Sequence, residues 1–278
     1  MKTALVLEGG ALRGIFTSGV MDYFIDNNVQ FDYICAVSAG SCNALQYLGK
    51  QRKYMKRCLM ETKENPFFGI GELIENKKFI NLDKIFYEYA EELGYDYSWL
   101  DEKHIPFEFV VTNINTGKAE YMSSDDIEKI RLIGKASCSM PFLTSPVEID
   151  GQLYQDGGIA DSIPLKHAFD MGYDRAVVVA TRKEGSYSVT NEAQKILYKR
   201  MYKDYPEFIK AGYDRTELYY SQVKYCEEME KEGKIVLLRP TISEVSRLES
   251  DEDALSLSYY HGYTKARERI DDINGLLY

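Results

Sequence analysis

Short apolar runs alternate with longer amphipathic stretches along the chain. Ala4-Leu5-Val6-Leu7 is a continuous apolar run, the pattern of a strand buried on both faces. It ends in Glu8-Gly9-Gly10. From about Gly14 to Asn27, Ile15, Val20, Tyr23 and Phe24 give a helix its apolar face. A second run, Phe31 to Val37, passes through Ser38-Ala39-Gly40 into a helical stretch from Ser41 to Leu48. Two strand–turn–helix units in succession predict a doubly wound α/β sheet.

Residues 50–104 read as mostly helical, charged and aromatic, with a break at Asn65-Pro66, and suggest an inserted helical layer. Phe107 to Asn113 and Lys118 to Met122 read as a strand pair around the turn signal Asn115-Thr116-Gly117. A helix follows from Ser124-Asp125-Asp126, with acids in its first turn, to about Ser137, stopping before Pro141. Val147 to Tyr154 reads as a hairpin turning at Asp150-Gly151. Pro164 opens a short helix ending near Gly172, and Arg175 to Thr181 is another core strand. Beyond residue 185 the pattern changes to long Tyr-rich helices over about 190–232, one strand at Ile235 to Leu238, and a final helix from Asp251 to Ile273. A split into residues 4–180 and 185–278 is expected, the second part being an appended domain or a helical cap.

Composition narrows the function classes. The chain has 278 residues, with 34 Lys+Arg against 44 Asp+Glu and a net charge of −10. Such a chain repels nucleic-acid phosphates, and clusters such as Lys50, Arg52, Lys53, Lys56 and Arg57 suit a solvated helix face. The five cysteines (Cys35, Cys42, Cys58, Cys138, Cys226) form no metal-binding spacing with His104, His167 or His261, so free, mostly buried thiols in a reducing compartment are expected. Glu8 ends the first apolar run after four residues, short of a signal-peptide core, and no run is long enough to span a bilayer. A cytoplasmic protein without a metal or cofactor is the expectation.

Three segments carry chemistry. Glu8-Gly9-Gly10-Ala11-Leu12-Arg13-Gly14 lies between a strand and a helix. Adjacent glycines let backbone N–H groups face one point, and the helix N-terminus adds partial positive charge there. The loop could cradle a phosphate or an oxyanion, or simply pack tightly. As a dinucleotide fingerprint it aligns Gly9, Ala11 and Gly14, with Ala11 where the pyrophosphate needs glycine. No Lys-Ser/Thr follows, which excludes a P-loop. In Ala36-Val37-Ser38-Ala39-Gly40 a serine occupies a sharp strand-to-helix turn among small neighbours, the form of a nucleophile elbow. Taken alone, a helix-capping serine explains it as well. Asp156-Gly157-Gly158 follows the hairpin and by itself is a turn. His167 and His261 lie after Ser38 but on helices of their own. A carboxylate held beside a serine could take its proton directly if burial raised its pKa.

Together, E-G-G-A-L-R-G at 8–14, A-V-S-A-G at 36–40 and D-G-G at 156–158 resemble the patatin-like phospholipases, especially their bacterial single-domain members, in motif order and spacing. Ala136-Ser137, Pro141 and the run to Pro146 resemble the stretch that precedes the family's aspartate. The resemblance covers roughly residues 4–180 and implies a three-layer α/β/α domain with a central, mostly parallel sheet, followed by a C-terminal helical extension. It implies Ser38 as nucleophile forming an acyl-enzyme, and Asp156, in the base motif with Gly157 and Gly158, as general base and then proton donor. The N–H groups of Gly10 and Ala11, with Gly9, would form the oxyanion hole. Arg13, beside Gly14, would stabilise the loop or meet a lipid phosphate.

Three positions depart from the family pattern. Ala11 stands where the loop has glycine, Ala36 where the elbow has glycine, and Glu8 where the family has an aspartate outside the chemistry. The implied function is hydrolysis of lipid acyl esters, of phospholipase A or lysophospholipase type, with transient contact to a membrane or micelle surface. A non-catalytic lipid-binding protein and a nucleotide-binding oxidoreductase are the alternatives. The latter needs an acid at the end of the second strand, where Val37-Ser38 stands. Phe67, Phe68, Phe79, Phe86, Tyr87, Tyr89, Tyr95, Tyr97 and Trp99 could line an acyl pocket or lid, or form the core of a helical layer.

Overall fold

The computed structural model describes residues 2–60, 67–69, 79–101, 104–187, 189–249 and 251–277. The first apolar run forms β1 (Thr3–Leu7), buried along its whole length. α1 (Gly14–Asp26), β2 (Tyr33–Val37), α2 (Ala39–Leu48) and α3 (Tyr54–Met60) follow. A π-turn at Lys84–Glu88 runs into α4 (Tyr89–Glu92). Next come β3 (Phe107–Asn113), β4 (Ala119–Met122) and α5 (Ile127–Ser137), whose Asp126 side chain caps the Lys129 N–H. The hairpin of β5 (Val147–Ile149) and β6 (Gln152–Asp156) turns through Asp150 and Gly151, both at positive φ. The chain ends with α6 (Leu165–Asp170), β7 (Arg175–Val179), α7 (Glu192–Met201), α8 (Pro206–Lys231), β8 (Ile235–Leu238), α9 (Glu252–Glu268) and α10 (Ile270–Leu277).

Some boundaries differ from the sequence reading. The helical stretch at 190–232 is two helices, because Pro206 cannot continue a helix but fits its first turn. The final helix also divides, at Arg269. Within 50–104, the described residues give helix around α3 and α4 and a single helical turn at Ser98–Leu100, plus a bridge pairing Phe68 with Ile80; the break at Asn65-Pro66 lies outside the described residues.

β8, β7, β1, β2 and β3 run parallel in that order. The remaining pairings, β3 with β4, β3 with β6 and β5 with β6, are antiparallel. Phe109 and Val110 pair with both β2 and β4, and Val111 and Thr112 pair with both β4 and β6. A strand has two edges, so β2 and β6 must share one edge of β3, meeting end to end. Val110 pairs with Val37 and the next residue, Val111, pairs with Asp156. This junction sets the two strand ends side by side.

Side chains alternate across the sheet as strand geometry requires. Leu5, Leu7, Ile34 and Ala36 pack on one face under residues of α1, α2, α5 and α9. Ala4, Val6, Cys35 and Val37 pack on the other under α6 and α8. The result is three layers, α/β/α. The C-terminal stretch is knit into them: β8 extends the sheet, and α9 crosses α1 in backbone contact. A Cβ on Gly19 would lie 2.0 Å from Tyr259 O, and one on Gly262 would lie 1.9 Å from Phe16 O. Buried Asp22 on α1 accepts hydrogen bonds from Gln46 Nε2 at 2.7 Å and from Tyr259 Oη, which fastens α1 to α2 and α9. Among the described residues, no helix is long and apolar enough to cross a membrane.

Candidate active site

Ser38 occupies the turn between β2 and α2 at φ 54° and ψ −128°, a left-handed φ that a non-glycine residue takes only at a cost. Close packing holds it there. A Cβ on Gly40 would lie 2.5 Å from Leu7 O, and one on Gly14 2.9 Å from Ala39 Cβ, so the turn is pressed against β1 and α1. The Ser38 N–H donates to Ser137 Oγ at 2.8 Å, and Ser41 N donates to Ser38 O at 2.8 Å. With its backbone fixed this way, the side chain projects beyond the sheet's C-terminal edge.

The junction on β3 brings Asp156 to it. Ser38 Oγ donates to Asp156 Oδ2 at 2.8 Å. Asp156 Oδ1 accepts from Gly158 N at 2.8 Å, and Arg215 Nε donates to Gly158 O at 2.7 Å. The Asp156 backbone is held on both sides, its N–H donating to Ser139 O and its carbonyl accepting from Thr112 Oγ1. Gly157 has no room for a side chain, since a Cβ would lie 2.1 Å from Val110 O. Burial is the largest influence on the carboxyl and raises its pKa above the ordinary value; Arg215, the Ser38 hydroxyl and the Gly158 N–H pull it back. A carboxylate so placed can accept a proton from a serine hydroxyl and return it.

The glycine loop packs over the same point. A Cβ on Gly9 would lie 2.7 Å from Ser38 Cβ, and one on Gly10 2.5 Å from Thr181 Oγ1. Glu8, buried at the loop's start, accepts from Thr181 N at 2.6 Å and Tyr219 Oη at 2.9 Å, tying the loop to β7 and α8. Leu12 N donates to Arg247 O and Arg13 N to Gly10 O. The N–H groups of Gly9, Gly10 and Ala11 have no partner among the described residues. Three such donors beside a serine are what a developing oxyanion needs.

Ala11 keeps the glycine-like backbone at φ 51°. The left-handed conformation costs an alanine about 1–2 kcal/mol, against about 0.5–1 kcal/mol for the extra freedom of an unfolded glycine. Ala11→Gly is therefore expected to stabilise the fold by roughly 0.5–1 kcal/mol, a rise in Tm of about 1–4 °C in a thermal melt. An unchanged or lower Tm would mean that the Ala11 methyl contacts outweigh the strain.

Ser38 sits where two cavities meet. One is apolar, lined by Leu12, Met55, Leu59, Phe67, Ile80 and Leu82 among others. The other, about 370 Å³, is more polar and carries Arg13, Arg182, Arg215 and Arg247. Arg13 is buried and gives Nη1 to Glu244 Oε2 at 3.2 Å, so it braces the loop against the segment before α9 while bordering this cavity. Of the nine aromatics between 66 and 99, Phe67 alone lines the apolar cavity; Phe86, Tyr89 and Tyr95 are core.

The histidines are engaged elsewhere. His167 Nε2 lies 2.7 Å from Glu108 Oε2 under a stacked Tyr121, His261 accepts from Thr241 N, and His104 meets Asp125. All five cysteines are free and buried, with Cys42 and Cys138 lining the apolar cavity. Sequence reasoning missed Ser137, Arg182, Arg215 and Arg247 as parts of the site. Arg182 directly follows a core strand, where α/β sites gather, and was legible on that ground. Arg215 and Arg247 stand in a stretch with no motif.

Comparison with known proteins gives the family and the fold. The family model described as patatin-like phospholipase matches residues 5–169. A domain of unknown function (DUF6363) matches residues 205–278. The uncharacterized protein YjjU of Escherichia coli is 30% identical over 195 residues, 65% of this chain and 52% of that protein. Lysophospholipase nte1 of Aspergillus terreus is 23% identical over 188 residues, 62% of this chain and 11% of that protein. The chain thus spans about half of the first of these relatives and a small part of the second. By fold it is similar to VipD from Legionella pneumophila, with a TM-score of 0.56 at 13% identity over 97% of this chain and 67% of that one. The matched span of 165 residues runs from within β1 into α6 and includes the elbow, the loop and Asp156, and this chain belongs to the patatin-like phospholipase family.

Proposed function

We propose that the protein is a serine hydrolase that cleaves fatty-acyl ester bonds of lipids, of phospholipase A or lysophospholipase type, through a Ser38–Asp156 dyad. The observation that carries this reading is the 2.8 Å hydrogen bond from Ser38 Oγ to Asp156 Oδ2 at the mouth of an apolar cavity. Ser38 Oγ attacks the ester carbonyl while its proton passes to Asp156. The carbonyl oxygen becomes an oxyanion facing the N–H groups of Gly9, Gly10 and Ala11. The acyl–oxygen bond then breaks, and the leaving alkoxide takes the proton from Asp156. Water repeats the sequence on the acyl-enzyme, Asp156 accepting its proton and Ser38 leaving. Preorganised donors at an oxyanion are worth about 3–4 kcal/mol each, and the covalent intermediate divides one hard step into two.

The apolar cavity, about 60 Å³, opens beside Ser38 and takes the part of an acyl chain next to the ester. At the rim of the polar one, Val189 and Leu197 stand exposed beside Ile196 and Met201 on α7. They give the mouth an apolar collar for transient contact with a micelle or membrane surface.

A fluorophosphonate probe with the modified peptide located by mass spectrometry tests the reading. The expected label is on Ser38 and is lost in Asp156→Asn. No label, with or without micelles, would return the fold to a lipid-binding role.

A further inference from the structure

The larger cavity over the dyad carries more guanidinium groups than carboxylates, in a chain whose net charge is −10. Arg13, Arg182, Arg215 and Arg247 line it, against the carboxylates of Glu8 and Asp156. Glu8 is bound by Thr181 N and Tyr219 Oη and pairs with Arg182, its Oε1 lying 3.9 Å from Arg182 Nε. Its burial raises its pKa, and Arg13 and Arg182 pull it back. Glu244 lies behind Arg13 and pairs with it. Arg182 lies over the Tyr219 ring at 5.1 Å. Arg215 uses Nε on Gly158 O. The Arg247 guanidinium donates no hydrogen bond and forms no ion pair among the described residues. Burial and the neighbouring Arg215, Arg13 and Arg182 push its pKa down to about 9. Gathering like charges is unfavourable unless something anionic joins them.

Their position relates them to the reaction. Ser38, Ala11, Met140 and Arg247 line both cavities, so an ester bound at Ser38 with the first carbons of its acyl group in the apolar cavity directs its alcohol side into the arginines. Guanidinium forks match phosphate oxygens in pairs. A cavity of about 370 Å³ has room for a glycerol phosphate with its waters.

Resting on the hydrolase reading above, we propose that this cavity receives a phosphate monoester carried on the alcohol side of the scissile ester. The preferred substrate is then an acylglycerol phosphate rather than a zwitterionic or uncharged acyl ester. Three of the four arginines come from beyond residue 180, so the stretch outside the patatin match selects the head group.

The test compares kcat/KM for lysophosphatidic acid, lysophosphatidylcholine and monoacylglycerol of one chain length, each in micelles of a neutral detergent. The expected preference for the phosphate monoester is roughly ten- to a hundredfold, the usual worth of a charge-assisted contact. Arg247→Gln is expected to bring that ratio down by about tenfold. Its side chain has no described partner to lose, and Arg247→Lys, keeping the charge without the fork, should fall between. Independently of any variant, glycerol 3-phosphate should inhibit wild-type monoacylglycerol hydrolysis competitively.

Turnover of all three lipids at equal efficiency, or a preference that survives Arg247→Gln, would overturn the assignment and leave the hydrolase reading intact. Acceleration of monoacylglycerol hydrolysis by inorganic phosphate, with no lipid preference, would make the cavity a site for free phosphate and also overturn it. No turnover of any ester together with no label on Ser38 would remove the hydrolase reading and this inference with it.

Discussion

Ser38→Ala is expected to lower ester hydrolysis to below about a thousandth of the wild-type rate while leaving the protein folded. The Cys138 thiol beside Ser38 is a poor substitute, because Cys42 and burial raise its pKa and keep it protonated. Cys42 and Cys138, which line the apolar cavity with Ser38, are buried and face each other at 3.7 Å. The hydroxyl of Ser137 is occupied in accepting the Ser38 N–H. The stability change is small by the same geometry. One hydrogen bond to Asp156 is lost, worth about 1 kcal/mol, which shifts Tm by about 2–4 °C in a chain this size. Gly158 N still donates to the carboxylate. Initial rates on a lysophospholipid and a thermal melt on the same preparation measure both quantities. Turnover above about a thousandth of wild type, in protein that melts normally, would place the nucleophile elsewhere.

Asp156→Asn is expected to reduce kcat by about a hundred- to ten-thousandfold. The amide has a single acceptor oxygen for the Ser38 hydroxyl and the Gly158 N–H, and it cannot take the serine proton. No metal or cofactor should restore the rate, and His167, paired with Glu108, is out of position to act as a base. The wild-type pH profile reports the same group. Only ionised Asp156 is a base, so kcat/KM falls as pH drops through its folded-state pKa and levels above it. Burial raises that value above the ordinary carboxylate, so the acid limb should lie at higher pH than for an exposed aspartate. In Asp156→Asn the limb should vanish from the residual rate. A limb retained in the variant would assign the titration to another group, with Glu8 the first to examine, since its pKa is raised as well.

Much of this arrangement was readable in the chain because its motifs are local. A strand, a serine between small residues and a helix form the elbow within a dozen positions, and the structure keeps that order with β2, Ser38 and α2. The glycine loop is equally local, and Ala11 shows that its backbone shape is retained even where the residue opposes it. The parts that could not be read depend on distant pairings. Nothing in Val147 to Asp156 says that its second strand will continue the edge of β3 where β2 stops. Arg215 lies on a Tyr-rich helix and Arg247 in a loop, and neither has a neighbour in sequence that hints at the cavity they share. Ser137 looks like the last residue of a helix until the fold brings it under the Ser38 N–H. The break before α8 is different in kind, since Tyr205-Pro206 carried that signal locally.

The end-to-end meeting of β2 and β6 on one strand has a bearing on folding as well as on geometry. The two residues in question are paired to successive positions, Val110 with Val37 and Val111 with Asp156. If β6 slipped by two residues, its side chains would keep their faces, but Asp156 would move by about 7 Å. A slip of one would turn it to the opposite face of the sheet. In both cases Ser38 would stand without a base. On the proposed reading, the Ser38–Asp156 pair works as a checksum on strand registry: a chain trapped in a misaligned sheet would be silent.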